Sequence, residues 1–124
     1  MQKVLLIDDK WYFRAIWTWG LQDRITFLHA NTIEQAKETF RDHPDLTAIF
    51  VDAHMNSAFC IDSRIPIREW GFDTRDLIAE LKQQFNGPII ASPCQPWHFK
   101  LMMNAGCTHY AWKWNVARLL KEIL

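Results

Sequence analysis

Lys3-Val-Leu-Leu-Ile-Asp8-Asp9 is the stretch that decides the fold. Its apolar run predicts a strand that is buried on both faces, as strands are in a parallel α/β sheet. Such sheets bind their ligands beyond the carboxyl ends of the strands, where Asp8 and Asp9 would lie. Adjacent carboxylates repel each other unless a positive group lies between them, and carboxylate oxygens suit Mg²⁺. We therefore predict a Mg²⁺ site here. In a simpler alternative, Asp9 only caps the next helix.

The composition narrows the class of protein. The 124 residues correspond to one domain with a modest core. The 14 basic and 14 acidic residues balance, whereas a general nucleic-acid binder needs a basic excess. No apolar run reaches the ~18 residues of a membrane span, and the first strand begins too early for a signal peptide. The three cysteines form no CxxC pair, so we expect reduced thiols in a cytoplasmic protein that binds neither nucleic acid nor a membrane.

Five strand patterns alternate with five helix patterns, which predicts a doubly wound, mostly parallel sheet. The predicted strands cover residues 3–7, 25–29, 46–51, 88–91 and 108–112. The predicted helices cover about 11–22, 32–41, 73–84, 96–105 and 116–124. Residues 53–72 show no sustained period, and we interpret them as a long loop after the third strand. Loops of this length in a compact domain are usually functional.

Charged and hydroxyl side chains follow four of the predicted strands: Asp8 and Asp9, Asp52, Ser92 and Lys113. Because parallel strands end at the same edge of a sheet, we expect these side chains to share one cleft. There the acids would hold Mg²⁺, Lys113 would help to neutralise a phosphoryl group, and Ser92 would hydrogen-bond one of its oxygens. One of the acids could itself be the nucleophile and form an acyl phosphate.

This ordered set of strand ends resembles the receiver domain of two-component response regulators, such as the chemotaxis regulators. The resemblance spans nearly the whole chain and is carried by Val4-Leu-Leu-Ile-Asp8-Asp9, Pro44-Asp45-Leu46, Val51-Asp52 with Met55, Pro88-Ile-Ile-Ala-Ser92, Ala105-Gly106 and Tyr110-Ala-Trp-Lys113. It implies an α/β fold with a five-stranded parallel sheet of flavodoxin-like order 2-1-3-4-5 and helices on both faces. It also implies that residues 1–124 form a single receiver-like domain.

The resemblance implies a role for each acid of the cleft. Asp52 would be the phosphoacceptor, and the donor would be a phosphohistidine on a sensor histidine kinase or a phosphotransfer protein. Mg²⁺ would be bound by Asp9 directly and by Asp8 through water. Asp52 and the backbone carbonyl of His54 would be further metal ligands.

The resemblance also implies how a signal would leave the cleft. Ser92 would be the switch hydroxyl, Lys113 would bridge to the phosphoryl group, and Tyr110 occupies the position of an aromatic residue that changes rotamer on activation. The output would be the binding of a downstream protein, and we interpret three tryptophans as its contact surface: Trp97, Trp112 and Trp114. In the alternative, these aromatic residues are core, and strand alternation buries one of Tyr110 and Trp112.

Three residues depart from the pattern of the family. Asn56 and Trp114 stand where the family usually has proline, and Pro93 stands where a backbone N–H would bind the phosphoryl group, although proline has none. We expect a trans bond before Trp114, because a non-proline cis bond costs about 3 kcal/mol. The first hypothesis is a single-domain response regulator that is no enzyme beyond its own phosphorylation and dephosphorylation. The departures favour a pseudo-receiver module that is not phosphorylated, and a Mg²⁺-dependent phosphohydrolase is a third, weaker alternative.

Overall fold

The computed structural model describes residues 2–9, 18, 20–55, 72–93 and 95–124, with the backbone alone at Trp114. Its strands are β1 (Gln2–Ile7), β2 (Ile25–Ala30), β3 (Ala48–Val51), β4 (Ile89–Ala91) and β5 (His109–Tyr110). All neighbouring strands pair in parallel, in the order β2-β1-β3-β4-β5. The predicted sheet class and the strand order implied by the resemblance are confirmed.

The described residues contain four α-helices: α1 (Ile33–Asp42), α2 (Arg75–Gln84), α3 (His98–Ala105) and α4 (Val116–Ile123). A 3₁₀ turn over Lys113–Asn115 leads into α4. The helix predicted over 11–22 and most of the loop predicted over 53–72 fall outside the described residues. The helix expected from Pro96 begins two residues later, because Gln95 to Trp97 form a turn.

The apolar runs of the strands supply two cores, one on each face of the sheet. Alternate strand residues pack against α1, α2 and α3 on the first face: Leu5, Ile7, Ile49, Val51, Ile89 and Ala91. The others pack against α4 on the second face: Val4, Leu6, Ala48, Phe50, Ile90 and Ala111. Because both faces are covered, the central strands β1, β3 and β4 are apolar at successive positions rather than at every second one. Helices on both faces, as the resemblance implied, are confirmed.

The helix ends follow local sequence signals. The Thr32 hydroxyl accepts the Gln35 N–H at 3.0 Å, and Gln35 Oε1 accepts the Asn31 N–H at 2.8 Å. Thr32 and Gln35 therefore form a capping pair, with its second bond one residue earlier than in the usual capping box. Gly106 ends α3 with a φ of 140°, a conformation that favours glycine. A Cβ at Gly106 would also lie 3.0 Å from Lys82 Cβ.

Three further expectations concern the chemistry of the chain. No cis peptide bond occurs among the described residues, so the trans bond expected before Trp114 is confirmed. Cys107 is a free, buried thiol, and burial raises its pKa to about 12 because the thiolate would lose its hydration. Cys60 and Cys94 lie outside the described residues. Within the part of the chain that the structure describes, no helix is both long and apolar enough to cross a bilayer.

Candidate metal and phosphoryl site

The register of the sheet brings three of the predicted site residues to one level. Ile7 lies beside Val51 in the sheet, and Val51 lies beside Ala91, so the next residues of the three strands are also neighbours. The hydrogen-bond ladder continues past the strand ends, from the Asp52 N–H to Ile7 O at 3.0 Å and from the Ser92 N–H to Val51 O at 3.0 Å. Asp8, Asp52 and Ser92 therefore leave the sheet side by side.

Three carboxylates form a cluster at this edge. Asp8, Asp9 and Asp52 each offer an oxygen, and these oxygens all lie within 4.8 Å of one another. Among the described residues, no other group of three or more His, Cys, Asp or Glu side chains converges in this way. Asp8 and Asp52 are buried, and Asp9 is half-buried. Hard oxygen donors at this spacing suit Mg²⁺ or Ca²⁺, so the donor set fits the expected ion.

Lys113 is buried between two of these carboxylates. Its Nζ lies 2.8 Å from Asp8 Oδ2 and 3.3 Å from Asp52 Oδ2, and its side chain is only 3% exposed. An ammonium group that is removed from water needs such partners, because the loss of hydration is costly. One ammonium group offsets one of the three carboxylate charges, and a divalent cation would offset the other two.

The two carboxylate oxygens of Asp52 face different groups. Oδ1 accepts the N–H of Ala53, the next residue, at 2.7 Å. Oδ2 faces the ammonium group of Lys113. A group attached to Oδ2 would therefore lie beside a buried positive charge, which is the arrangement that stabilises charge developing on a phosphoryl oxygen.

Ser92 lies on the other side of Asp52, at the end of β4. It is buried, and its hydroxyl has no hydrogen-bond partner among the described residues. Strand four is short in sequence, but its pairing with β3 still brings Ser92 to the level of Asp52. Pro93, which follows, is also buried and offers no N–H.

The aromatic residues around β5 do not lie in the core, where the alternative interpretation of the sequence had expected them. Tyr110 is 64% exposed and Trp112 is half-buried, so the expectation that one of them is core is wrong. The reason is that Ala111, between them, takes the inward position beside β4. The ring of Phe99 contacts both, at centroid distances of 5.2 Å to Tyr110 and 5.1 Å to Trp112. Trp97 is 53% exposed, and the side chain of Trp114 lies outside the described residues.

Two residues whose sequence pattern is that of a helix cap contact the site. Thr74 precedes α2, but its side chain makes no cap bond, and its hydroxyl donates instead to Asp52 O at 2.8 Å. The Asp73 carboxylate accepts the Met55 N–H at 2.8 Å and lies 3.0 Å from His54 Nδ1. An Asp-Thr pair before a helix is also the ordinary pattern of a cap, so the sequence contains no separate signal for these contacts.

The comparisons with known proteins concern the fold. No family model matches the sequence, and no curated protein does. A two-component response regulator from Clostridium difficile matches with a TM-score of 0.74 and 16% identity, over 98% of this chain and 91% of its own. A response regulator from Burkholderia pseudomallei, solved with a phosphorylated aspartic acid, calcium ion and citrate, matches with a TM-score of 0.73 and 20% identity, over 100% and 67%.

A third match is a chain of the complex of the P1 domain of CheA3 with CheY6 from R. sphaeroides, with a TM-score of 0.69 and 13% identity, over 98% of this chain and 95% of that one. The chain has the fold of a response-regulator receiver domain. The structural similarity establishes this receiver fold. Because the sequence identities are at or below 20%, the chemistry of the site is argued from the residues of this chain.

Proposed function

We propose that this receiver-like protein accepts a phosphoryl group on Asp52, with Mg²⁺, from a sensor histidine kinase or a phosphotransfer protein. The observation that carries the proposal is the position of Lys113, whose buried ammonium group lies between Asp8 and Asp52. An isolated aspartate at a strand end could be a cap. A buried aspartate with two further acids and a lysine around it is an arrangement for binding a cation and a phosphoryl group.

The transfer would proceed by attack of Asp52 Oδ2 on the phosphorus of a phosphohistidine. The new O–P bond gives an acyl phosphate, the N–P bond breaks, and the imidazole leaves with a proton. Lys113 would remain beside the transferred group and pair with one of its oxygens. The Ser92 hydroxyl, which is buried at the same level, would donate a hydrogen bond to another. Hydrolysis of the acyl phosphate by water would return the Asp52 carboxylate.

Four groups would hold the metal: the carboxylates of Asp8, Asp9 and Asp52, and the backbone carbonyl of His54. When bound, Mg²⁺ supplies positive charge that neutralises the transferring phosphoryl oxygens. Lys113 already balances part of the carboxylate charge, so the metal and the lysine would share this work. One of the similar structures was solved with a calcium ion, which supports a divalent cation at this kind of site.

The proposal also covers the setting of the protein. Residues 1–124 would act as one domain in cytoplasmic two-component or phosphorelay signalling, with residues 53–72 as a loop beside the site. A downstream protein would bind near Tyr110, Trp97, Trp112 and Trp114. The partner that donates the phosphoryl group is supported by the similar complex of a CheA3 P1 domain with CheY6. The protein would be an enzyme only in the narrow sense of its own phosphorylation and dephosphorylation.

The test measures adduct formation on the full chain. The protein is incubated with Mg²⁺ and a small-molecule phosphodonor, or with beryllofluoride, while intact mass and tryptophan fluorescence are followed. We expect one phosphoryl adduct in the wild type and none in Asp52→Asn. Asp45→Asn is the matched control, because Asp45 forms a solvent-accessible ion pair with Lys3 at the amino ends of the strands, opposite the cleft. Adduct formation in Asp52→Asn, or none in any variant, would contradict the proposal.

The alternative is a pseudo-receiver, which binds a partner without phosphorylation. Pro93 favours it, because the buried residue after Ser92 cannot donate a backbone hydrogen bond to a phosphoryl group. Mg²⁺ binding without any adduct would support this alternative. Repeated turnover of a phosphomonoester would instead support a phosphohydrolase, although His54 stands where a second catalytic acid would be needed.

A further inference from the structure

The four residues that follow β3, from Asp52 to Met55, are held by the two residues that precede α2. Asp73 and Thr74, which we call the peptide clamp, follow the predicted loop over residues 53–72 and contact this stretch from the end of that loop. Thr74 is completely buried, and the Asp73 side chain is 31% exposed. The hydrogen bonds of the clamp fall on successive peptide groups of the stretch.

The first peptide group joins Asp52 to Ala53. Its carbonyl oxygen lies 2.8 Å from the Thr74 hydroxyl, which also lies 3.2 Å from Ala53 O. Its N–H donates to Asp52 Oδ1 at 2.7 Å. In a trans peptide the C=O and N–H point in opposite directions, so fixing the carbonyl also fixes the direction of the N–H. Thr74 therefore orients the group that holds the Asp52 carboxylate.

The second peptide group joins Ala53 to His54, and its carbonyl accepts the Asp73 N–H at 2.9 Å. The third joins His54 to Met55, and its N–H donates to Asp73 Oδ1 at 2.8 Å. Because no cis bond occurs among the described residues, the His54 carbonyl points away from Asp73. The other oxygen of Asp73 lies 3.0 Å from His54 Nδ1 and restrains the same residue through its side chain.

We propose that Asp73 and Thr74 are positioning residues of the metal site, which orient the Asp52 carboxylate and the His54 carbonyl through the backbone. This inference rests on the proposed function, because it takes those two groups as metal ligands. Neither clamp residue would touch the metal. Groups that orient metal ligands in this way commonly change metal affinity by about 10- to 100-fold when they are removed.

The test is a Mg²⁺ titration of the full chain, followed by tryptophan fluorescence. Thr74→Val removes the hydroxyl at nearly constant shape, and Asp73→Ala removes both carboxylate contacts. We expect each to weaken Mg²⁺ binding about 10-fold or more. Thr74→Ser keeps the hydroxyl and is expected to stay within about 3-fold of the wild type, since its donor is retained. Asp73→Asn keeps an acceptor for the Met55 N–H and is expected to lie between.

Thr108→Val is the control for a lost hydrogen bond between a threonine hydroxyl and the backbone. The Thr108 hydroxyl also bonds a backbone, at Ile89 N and O, but at the opposite end of β4 from the site. Thr108→Val is expected to lower the melting temperature and to leave Mg²⁺ affinity unchanged. The clamp is contradicted if Thr74→Val and Asp73→Ala bind Mg²⁺ as tightly as the wild type, or if Thr108→Val weakens binding equally.

A metal-free measurement keeps the inference testable for any variant that is poorly folded. Amide hydrogen exchange of Met55, measured without Mg²⁺, should speed up in Asp73→Ala, which removes the acceptor of the Met55 N–H, relative to an amide of the β1 core. Unchanged exchange at Met55 would contradict the clamp. A wild type that binds no Mg²⁺ would overturn both the clamp and the proposed function. Normal Mg²⁺ binding with no phosphoryl adduct would overturn only the proposed function and leave the clamp standing.

Discussion

The two sides of the cleft differ in whether their polar groups have partners in the folded protein. On the acidic side, Asp8, Asp52 and Lys113 are buried together and joined by ion pairs. On the switch side, the Ser92 hydroxyl is buried with no partner among the described residues, and Tyr110 extends into solvent. The ion pairs of the acidic side are therefore part of the folded state before any ligand binds. The switch side has groups that would gain partners only when a phosphoryl group arrives.

The largest effect is expected from Lys113→Met. Removal of the ammonium group leaves two buried carboxylates without their shared counter-charge, and breaking such a pair typically costs about 3–5 kcal/mol of unfolding free energy. Urea denaturation measures the loss. Mg²⁺ should restore more stability to this variant than to the wild type, because it would supply the missing positive charge.

Lys3→Met is the control for a lysine that pairs at the surface. Lys3 lies 2.9 Å from Asp45, and this exposed pair should matter little, since water and salt screen it. The interpretation of the acidic side fails if the two lysine variants lose the same stability. It also fails if Mg²⁺ stabilises Lys113→Met no more than the wild type.

The second-largest effect is expected on Mg²⁺ affinity, which should depend on the acidic side and not on the switch side. Asp9→Asn removes one carboxylate charge from the cluster and is expected to weaken Mg²⁺ binding at least about 10-fold, because hard cations depend on anionic oxygen ligands. Ser92→Ala should leave Mg²⁺ affinity within error of the wild type. Isothermal titration calorimetry of both variants measures the difference. Equal losses would mean that the two sides form a single site.

The strand ends could be predicted from the sequence because each rests on a local pattern. Asp8 and Asp52 follow apolar runs, and a parallel sheet brings such ends to one edge. The partnership of Lys113 with Asp8 could not be predicted in the same way, since it joins residues 105 positions apart through the register of three strand pairs. The position of Lys113 after the fifth predicted strand indicated a cleft residue, but one that pairs with the phosphoryl group and not with Asp8.

Other details could not be predicted because the same local sequence pattern is compatible with two structures. Tyr110-Ala-Trp112 alternates like a strand, but the inward position of the pattern falls on Ala111, so Tyr110 and Trp112 both lie on the other side. Thr74 has the pattern of a helix cap, but its hydroxyl turns toward Asp52 O. In both cases the local choice depends on partners that are distant in sequence, which periodicity does not report.

The third effect has opposite signs for stability and function. Ser92→Ala removes a buried hydroxyl that has no partner among the described residues, so it should raise unfolding free energy by up to about 1 kcal/mol or leave it unchanged. The same change should weaken beryllofluoride binding about 10-fold or more, because a hydrogen bond to a charged group is worth about 1.5–3 kcal/mol. Urea denaturation and a fluoride-dependent fluorescence titration measure the two quantities. A loss of stability together with unchanged beryllofluoride binding would show that the hydroxyl is structural.

The smallest effect is expected from Tyr110→Ala. Tyr110 is 64% exposed, and its ring packs against the Phe99 ring at a centroid distance of 5.2 Å. An aromatic pair of this kind is worth about 0.5–1.5 kcal/mol, so the loss of stability should fall in that range. Mg²⁺ affinity and adduct formation should not change, since Tyr110 touches none of the acids.

Tyr110→Phe is the matched variant, because it keeps the ring and removes only the exposed hydroxyl. It should be as stable as the wild type, and thermal unfolding followed by circular dichroism measures both variants. If Tyr110→Ala weakened Mg²⁺ binding as Asp9→Asn does, the switch side would already be coupled to the acids without a phosphoryl group. The contrast between the two sides depends on that coupling being absent, because Tyr110 lies in solvent whereas Lys113 and its two carboxylate partners are buried.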